Sequence, residues 1–141
     1  MAFNKKPLKA QDELIPYSVG LEDRVESGFE ATKIESGSNS NGSWTKFPDG
    51  TLLQRKSNMR TDNGTAYNLS IYWNFPTSFV NTDYQVLPTL LSSTPSNAQR
   101  DIFMIGGKST TRALVTLHDE SGRYVTDVFA DFDVIAIGRW K

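Results

Sequence analysis

A single histidine, His118, limits the acid–base and nucleophilic chemistry open to this chain. Any Ser-His-Asp arrangement must run through it. It stands at the end of an apolar run beside Asp119 and Glu120, the setting of a turn or surface histidine. A site built from several histidines is excluded within one chain, although three copies of one histidine could meet on a symmetry axis. Asp131 and Asp133, at i and i+2, project from one face of a strand, and paired carboxylates are the working groups of glycoside hydrolysis. No further polar cluster accompanies them, and entry into a strand accounts for the spacing. Ile105-Gly106-Gly107-Lys108-Ser109-Thr110 ends like a phosphate-binding loop but lacks that motif's leading glycine, so it reads as a hairpin turn. With no cysteine, disulfides, thiolate metal sites and cysteine nucleophiles are all absent. The expectation is a non-enzyme that needs no cofactor.

What remains is aromatic and amide-rich material: Trp44, Tyr67, Tyr72, Trp73, Tyr84, Tyr124 and Trp140, with loops of Asn and Ser. An aromatic face packs on the C–H patch of a pyranose while amides and hydroxyls bond its oxygens. The same residues build ordinary β-cores. Tyr67 and Tyr124 are the aromatic candidates for ligand contact.

These residues must be positioned by a small protein. The 141 residues suffice for one domain with a modest core and leave room for an appendage. The 8 Phe, 5 Tyr and 3 Trp against 3 Met favour strands. A formal charge of −1 creates no global field to draw nucleic acid or an anionic membrane. No apolar run approaches the roughly 20 residues that span a bilayer, so no membrane insertion is expected. The basic start at Lys5-Lys6 lacks the apolar stretch of a secretory signal.

Residues 1–35 differ in kind from residues 36–141. Five basic side chains face seven acidic ones over the first 36 positions, against ten and nine in the remainder. Leu21, Val25 and Phe29 recur at i, i+4 and i+8, which predicts a short helix from Leu21 to Lys33. Such a helix is marginal alone. Its stripe either docks on the body as an arm, or serves as an oligomerising stem or an anchor into a larger particle, with Leu21 and Val25 in the contact.

Ser36 to Gly42 reads as a linker and Arg60 to Ala66 as a loop. Between them, Pro48-Asp49-Gly50 turns one strand, Ser43 to Phe47, into the next, Thr51 to Lys56. The clearest alternation sets Leu69, Ile71, Trp73 and Phe75 against Asn68, Ser70, Tyr72 and Asn74, which fixes the register. Tyr84 to Leu91 is a strand in which Pro88 demands an edge or a bulge. Asp101 to Ile105, Arg112 to His118, Arg123 to Val128 and Phe132 to Trp140 follow. In the last, Phe132, Val134, Ala136 and Trp140 share one face and Ile135 and Ile137 the other, so this strand is either buried on both faces within the chain or buried once in the core and once in a subunit interface. The pattern predicts an all-β chain, an antiparallel sandwich of six to eight strands.

Asn41-Gly42-Ser43-Trp44-Thr45-Lys46-Phe47-Pro48-Asp49-Gly50-Thr51 resembles the opening hairpin of tailed-phage tail-fibre C-terminal domains. Asn74-Phe75-Pro76 before Tyr84-Gln85-Val86, and the closing Ala136-Ile137-Gly138-Arg139-Trp140, are similar to further core elements of that family. More distantly, the layout resembles H-type lectin domains, with Ser121-Gly122-Arg123-Tyr124 in the place of their Thr-Gly-Phe hairpin. The lectins' disulfide is absent, and their sugar-binding acidic residue has no aligned counterpart between Thr51 and Asn63. Arg100 corresponds to their binding arginine. The resemblance implies a virion fibre-tip protein: a homotrimer that binds a host surface glycan and joins other virion proteins through its N-terminal arm. A purely structural virion component, such as a capsid decoration or a head or tail fibre element without glycan binding, is the competing reading.

Overall fold

The computed structural model describes residues 32–65, 67–93, 102–120, 122 and 128–141. By packing, the chain divides into two units, Met1–Lys33 and Ile34–Lys141, and the architecture below is that of the second. The helix expected from Leu21 lies outside the described residues except at Thr32 and Lys33, which are not helical.

Nine strands are described: β1 (Glu35–Asn39), β2 (Gly42–Lys46), β3 (Thr51–Arg60), β4 (Asp62–Thr65), β5 (Asn68–Asn74), β6 (Gln85–Ser93), β7 (Ile102–Gly106), β8 (Arg112–His118) and β9 (Ala130–Arg139). They pair antiparallel into a five-stranded sheet, β1-β2-β3-β9-β6, and a four-stranded sheet, β4-β5-β8-β7. The expected β-sandwich is therefore present, with one strand more than the upper end of the expected count. Two of the nine strands, β1 and β4, come from segments read as a linker and a loop. Ser36 to Asn39, expected to be a linker, lies in β1 and pairs with β2 through a tight turn at Ser40-Asn41. Asp62 to Thr65, expected to be a loop, forms β4 against β5. The strand expected over 123–128 lies outside the described residues except at Val128, which is not in a strand.

The Pro-Asp-Gly turn forms as its chemistry dictates. Gly50 takes a φ of +93°, the Phe47 N–H donates to the Thr51 carbonyl at 2.8 Å and the Gly50 N–H to the Phe47 carbonyl at 3.0 Å, and the Asp49 carboxylate accepts the Thr51 N–H at 2.8 Å. That backbone hydrogen bond, with one from the Thr51 hydroxyl, holds the Asp49 carboxyl below its ordinary value. Pro88 sits on β6, an edge strand of the larger sheet, as the missing N–H requires. A register shift follows it between Leu90 and Ser92.

The core lies between the sheets. Phe132, Val134 and Ala136 of β9 and Leu52 of β3 are fully buried from one side, and Trp73, Ala113 and Val115 from the other. A cluster of rings fills the end formed by the 75–84 connection: Phe75 meets Trp73, Phe79 and Tyr84 edge-on at 5.0–5.1 Å, while Phe79 stacks on Tyr84 at 4.6 Å. These geometries suit the ring quadrupoles. The Tyr84 hydroxyl reaches the Ser109 and Arg112 carbonyls at 2.9 and 3.1 Å, tying the cluster to the β7–β8 turn. Burial pushes this hydroxyl's pKa above its ordinary value.

The cluster rests on Gly138 of β9. A Cβ there would lie 2.6 Å from the Tyr84 Cβ and 2.8 Å from the Phe79 ring. Trp140, just beyond, donates its indole N–H to the Phe47 carbonyl at 2.9 Å and so fastens the chain to the first turn. Across the molecule, Trp73 donates to the Asn41 carbonyl at 2.9 Å, holding the β1–β2 hairpin against the second sheet.

Two substitutions test this packing by denaturant unfolding. Phe132→Ala should cost about 3–5 kcal/mol, since it opens a cavity at a fully buried site. Gly138→Ala should cost about 1–3 kcal/mol by forcing apart atoms of the Tyr84 backbone junction and the Phe79 ring. Thr89→Ala, on the exposed face of β6, should change stability by less than about 0.5 kcal/mol. A near-neutral Gly138→Ala would show that the ring cluster is not seated on β9.

Candidate functional site

The outer face of the five-stranded sheet carries two contrasting surfaces, and strand register sets their composition. One cross-strand row runs Ser36, Thr45, Leu53, Ile137, Gln85, and the next runs Ser38, Ser43, Arg55, Ile135, Leu87. Because side chains alternate across a strand, all ten face away from the core. Apart from exposed Gln85 the β9–β6 half of these rows is apolar: Ile135, Ile137 and Leu87 are 44%, 43% and 59% exposed, with half-buried Leu53 beside them. The β1–β2 half presents four hydroxyls.

The inner side of β9 behaves as its sequence implies, with Phe132, Val134 and Ala136 buried. Ile135 and Ile137 form the second apolar face, in the centre of the sheet between β3 and β6. Leu21 and Val25, assigned with them to a contact between copies, lie outside the described residues.

On the hydroxyl half the small residues of β1 and β2 stand lower than Leu53 and Arg55 of β3, and the step makes a groove. It consists of two adjoining hollows of about 350 and 410 Å³ that share Ser43 and Arg55. The first is lined by Ser36, Thr45 and Leu53, and the second by the β1–β2 turn with Lys56. Arg55 Nε donates to Ser43 Oγ at 3.1 Å and Lys56 Nζ to the Ser40 carbonyl at 2.9 Å. Both cations are thereby oriented by neutral partners. These groove residues were missed as a site because Ser36 to Gly42 reads as linker. The available signal was the spacing of Ser36 and Ser38, and of Ser43 and Thr45, at i and i+2.

The residues first singled out for ligand contact lie elsewhere. Tyr67 is 52% exposed, and its ring covers Gly122 closely enough that a Cβ there would sit 2.8 Å from it. The Tyr67 carbonyl accepts the Asp119 N–H at 2.9 Å. Arg100 and Tyr124 lie outside the described residues. The strands flanking their segments, β6 into β7 and β8 into β9, open at the same end of the sandwich as Tyr67. The chain enters the sheet at Glu35, at the opposite end.

The remaining groups resolve into structural roles. His118 Nδ1 lies 2.8 Å from Asn68 Oδ1 on the neighbouring strand. Asp131 receives Arg60 through two contacts, at 2.7 and 2.8 Å, and Ser92 Oγ at 3.2 Å. The Arg60 hydrogen bonds hold the Asp131 carboxyl below its ordinary range, so it is a poor proton donor. Asp133 accepts the N–H of Asn58 at 2.9 Å. Asn58 has a φ of +55° and occupies the register shift in β3 between Lys56 and Met59. The two aspartates thus secure β3 and β6 to β9. The Gly107-Lys108 segment makes the β7–β8 turn, with Lys108 Nζ donating to the Tyr84 carbonyl at 2.7 Å. Among the described residues no group of three or more His, Asp or Glu side chains is placed to hold a metal ion.

No protein-family model and no curated protein matches the chain. Among solved structures, an N-truncated R1-type pyocin tail fibre is similar with a TM-score of 0.52 and 19% identity, covering 75% of this chain and 85% of that one. A longer C-terminal fragment of the P. aeruginosa R1 pyocin fibre matches at 0.50 and 19% identity, over 75% of this chain and 28% of its own length. The tailspike protein gp49 of Pseudomonas phage LKA1 matches at 0.42 and 16%, over 64% of this chain and 15% of that one. At these identities the likeness is one of fold.

The Arg60–Asp131 pair gives a pH dependence with a definite sign. A carboxyl whose folded pKa is depressed contributes stability above its unfolded pKa, and loses it as pH falls through the folded value. Unfolding titrations should therefore show a loss beginning near the ordinary aspartate value of 3.8 and growing below it. Arg60→Met should flatten that part of the profile. Because Arg60 is exposed, the effect should be small and salt-sensitive. An unchanged acid limb in Arg60→Met would assign the loss to other carboxylates.

Proposed function

We propose that this chain is a fibre-tip protein of a tailed-phage or related contractile particle, a homotrimer that presents its sandwich to glycans on a host surface. The observation that carries the reading is the fold shared with an R1-type pyocin tail fibre over three quarters of this chain. The sequence resemblance in the first hairpin and the closing strand supports it independently. On this reading residues 1–35 attach the protein to the particle, and residues 36–141 form the exposed tip.

The trimer rests on the outer face of β9. Ile135, Ile137 and Leu87 form a contiguous apolar stripe in the middle of a sheet, the kind of surface that marks an interaction site. Its burial between copies accounts for a strand apolar on both faces. Binding to glycans then needs no chemistry, since weak sites on three linked copies gain in apparent affinity. The Tyr67 end of the sandwich lies opposite the point where the chain enters the sheet and is the end offered to the host.

Sedimentation of the full chain should give the mass of three copies, and the double variant I135R/I137R should sediment as a folded monomer with the far-UV spectrum of the wild type. A wild-type monomer at all concentrations removes the trimer. In host-cell adsorption and glycan-array assays the wild type should bind, and I135R/I137R should lose about 10²-fold or more in apparent affinity. Trimers that bind no cell and no glycan would leave a structural virion component as the reading.

A further inference from the structure

We propose that the hydroxyl-lined groove across β1, β2 and β3 is a binding subsite for an acidic saccharide, with Arg55 receiving the ligand's carboxylate. The inference deepens the glycan-binding reading above and rests on it for the class of ligand.

Four observations carry it. First, the groove is built on strands: Ser36 and Ser38 of β1 face Thr45 and Ser43 of β2 in fixed cross-strand pairs. Four hydroxyls, each able to donate and accept, are therefore held in a grid about 5 Å by 7 Å. That spacing is on the scale of oxygens across one pyranose ring or on successive sugar residues. Second, Arg55 is oriented without being consumed. Its Nε donates to Ser43 Oγ, which leaves both terminal nitrogens of the guanidinium fork for a ligand. A planar fork of this kind matches a carboxylate in two parallel hydrogen bonds.

Third, the contrast with Arg60, five residues along the same strand, is informative. Arg60 is taken up in a bidentate pair with Asp131, whereas Arg55 has no carboxylate partner among the described residues. Fourth, no acidic side chain lines either hollow, while Lys56 adds a second cation held at the β1–β2 turn by the Ser40 carbonyl. The Arg55 guanidinium in an open groove lined by hydroxyls, with Lys56 at the border of the second hollow, favours a polyhydroxylated anion over a neutral sugar. Leu53 at the groove's wall offers an apolar patch for sugar C–H groups.

Calorimetric titration of the full chain tests the assignment with three probes: trigalacturonate, a neutral galactose trimer of equal length, and inorganic phosphate. Trigalacturonate should bind at least about tenfold tighter than the neutral trimer, and Arg55→Gln should remove that preference, since it deletes a charge-assisted bidentate contact. Arg55→Lys, which keeps the charge but loses the fork, should recover only part of it. The advantage should weaken with added salt. Arg112→Gln, the same charge change on the other sheet, should leave binding unaltered. Ser36→Tyr, which fills the groove from an exposed edge strand, should weaken binding like Arg55→Gln, and unchanged melting temperatures would establish that both variants fold.

Equal affinity for acidic and neutral trimers, or binding untouched by Arg55→Gln and Ser36→Tyr, overturns the subsite and leaves the fibre-tip reading standing. Phosphate binding as tight as trigalacturonate overturns the saccharide class, because the groove would then be a simple anion site. No binding of either trimer overturns the subsite, while the glycan reading is judged by the array and adsorption assays and the trimer by sedimentation.

Discussion

The close approach of Phe79 and Tyr84 to Gly138 is the contact on which the sandwich depends. The 75–84 connection carries the chain from the smaller sheet to the larger one, and its rings can enter the interior only if one strand of the larger sheet offers bare backbone. Gly138 supplies that opening. Once seated, the rings pack edge-to-face from Trp73 to Phe79, and Tyr84 extends the cluster to the β7–β8 turn. Trp140 then closes against Phe47. One glycine thus couples the first hairpin, the central connection and the last strand.

The same strand sets what the outer face can be. β9 lies between β3 and β6, so Ile135 and Ile137 occupy the middle of a sheet. Their exposure cannot be relieved by the fraying or charge that often protects an edge. The polar side chains gather instead over β1 and β2, where small residues leave room for a groove. Apolar contact and polar recognition are adjacent on one surface, and Leu53 and Arg55 mark the border between them. Copies joined through the apolar half would place the groove near the margin of their contact.

The elements legible in the sequence were those with side-chain contrast. Leu69, Ile71 and Trp73 against Ser70, Tyr72 and Asn74 announced β5, and Phe132, Val134 and Ala136 against Ile135 and Ile137 announced both faces of β9. Pro-Asp-Gly announced its hairpin. β1 was illegible because Ser36-Gly37-Ser38-Asn39 has no apolar member. Its strand character comes from pairing with β2 and from Gly37 lying over the Trp44 indole, where a Cβ would sit 2.6 Å from the ring. β4 was hidden for a similar reason, since Asp62-Asn63-Gly64 is turn composition drafted into a ladder by β5. The groove could not be seen before β1 was known, because half of its hydroxyls belong to it. Asp131 and Asp133 were correctly placed on one face, but only the structure showed the irregular stretch of β3 that they secure.

The position of β9 also orders the folding reaction. β1, β2 and β3 can pair as neighbours in sequence, and β7 and β8 likewise, but β3 meets β6 only through a strand some seventy residues further along, as the Arg60–Asp131 separation of 71 shows. Until that strand inserts, β3 and β6 are both open edges, and the rings of the 75–84 connection have no seat. Non-local pairing of this kind slows folding and prolongs the life of sticky partial structures. At high local concentration of copies, an unfilled gap between β3 and β6 can also accept the β9 of a neighbour, an exchange of identical elements that competes with folding.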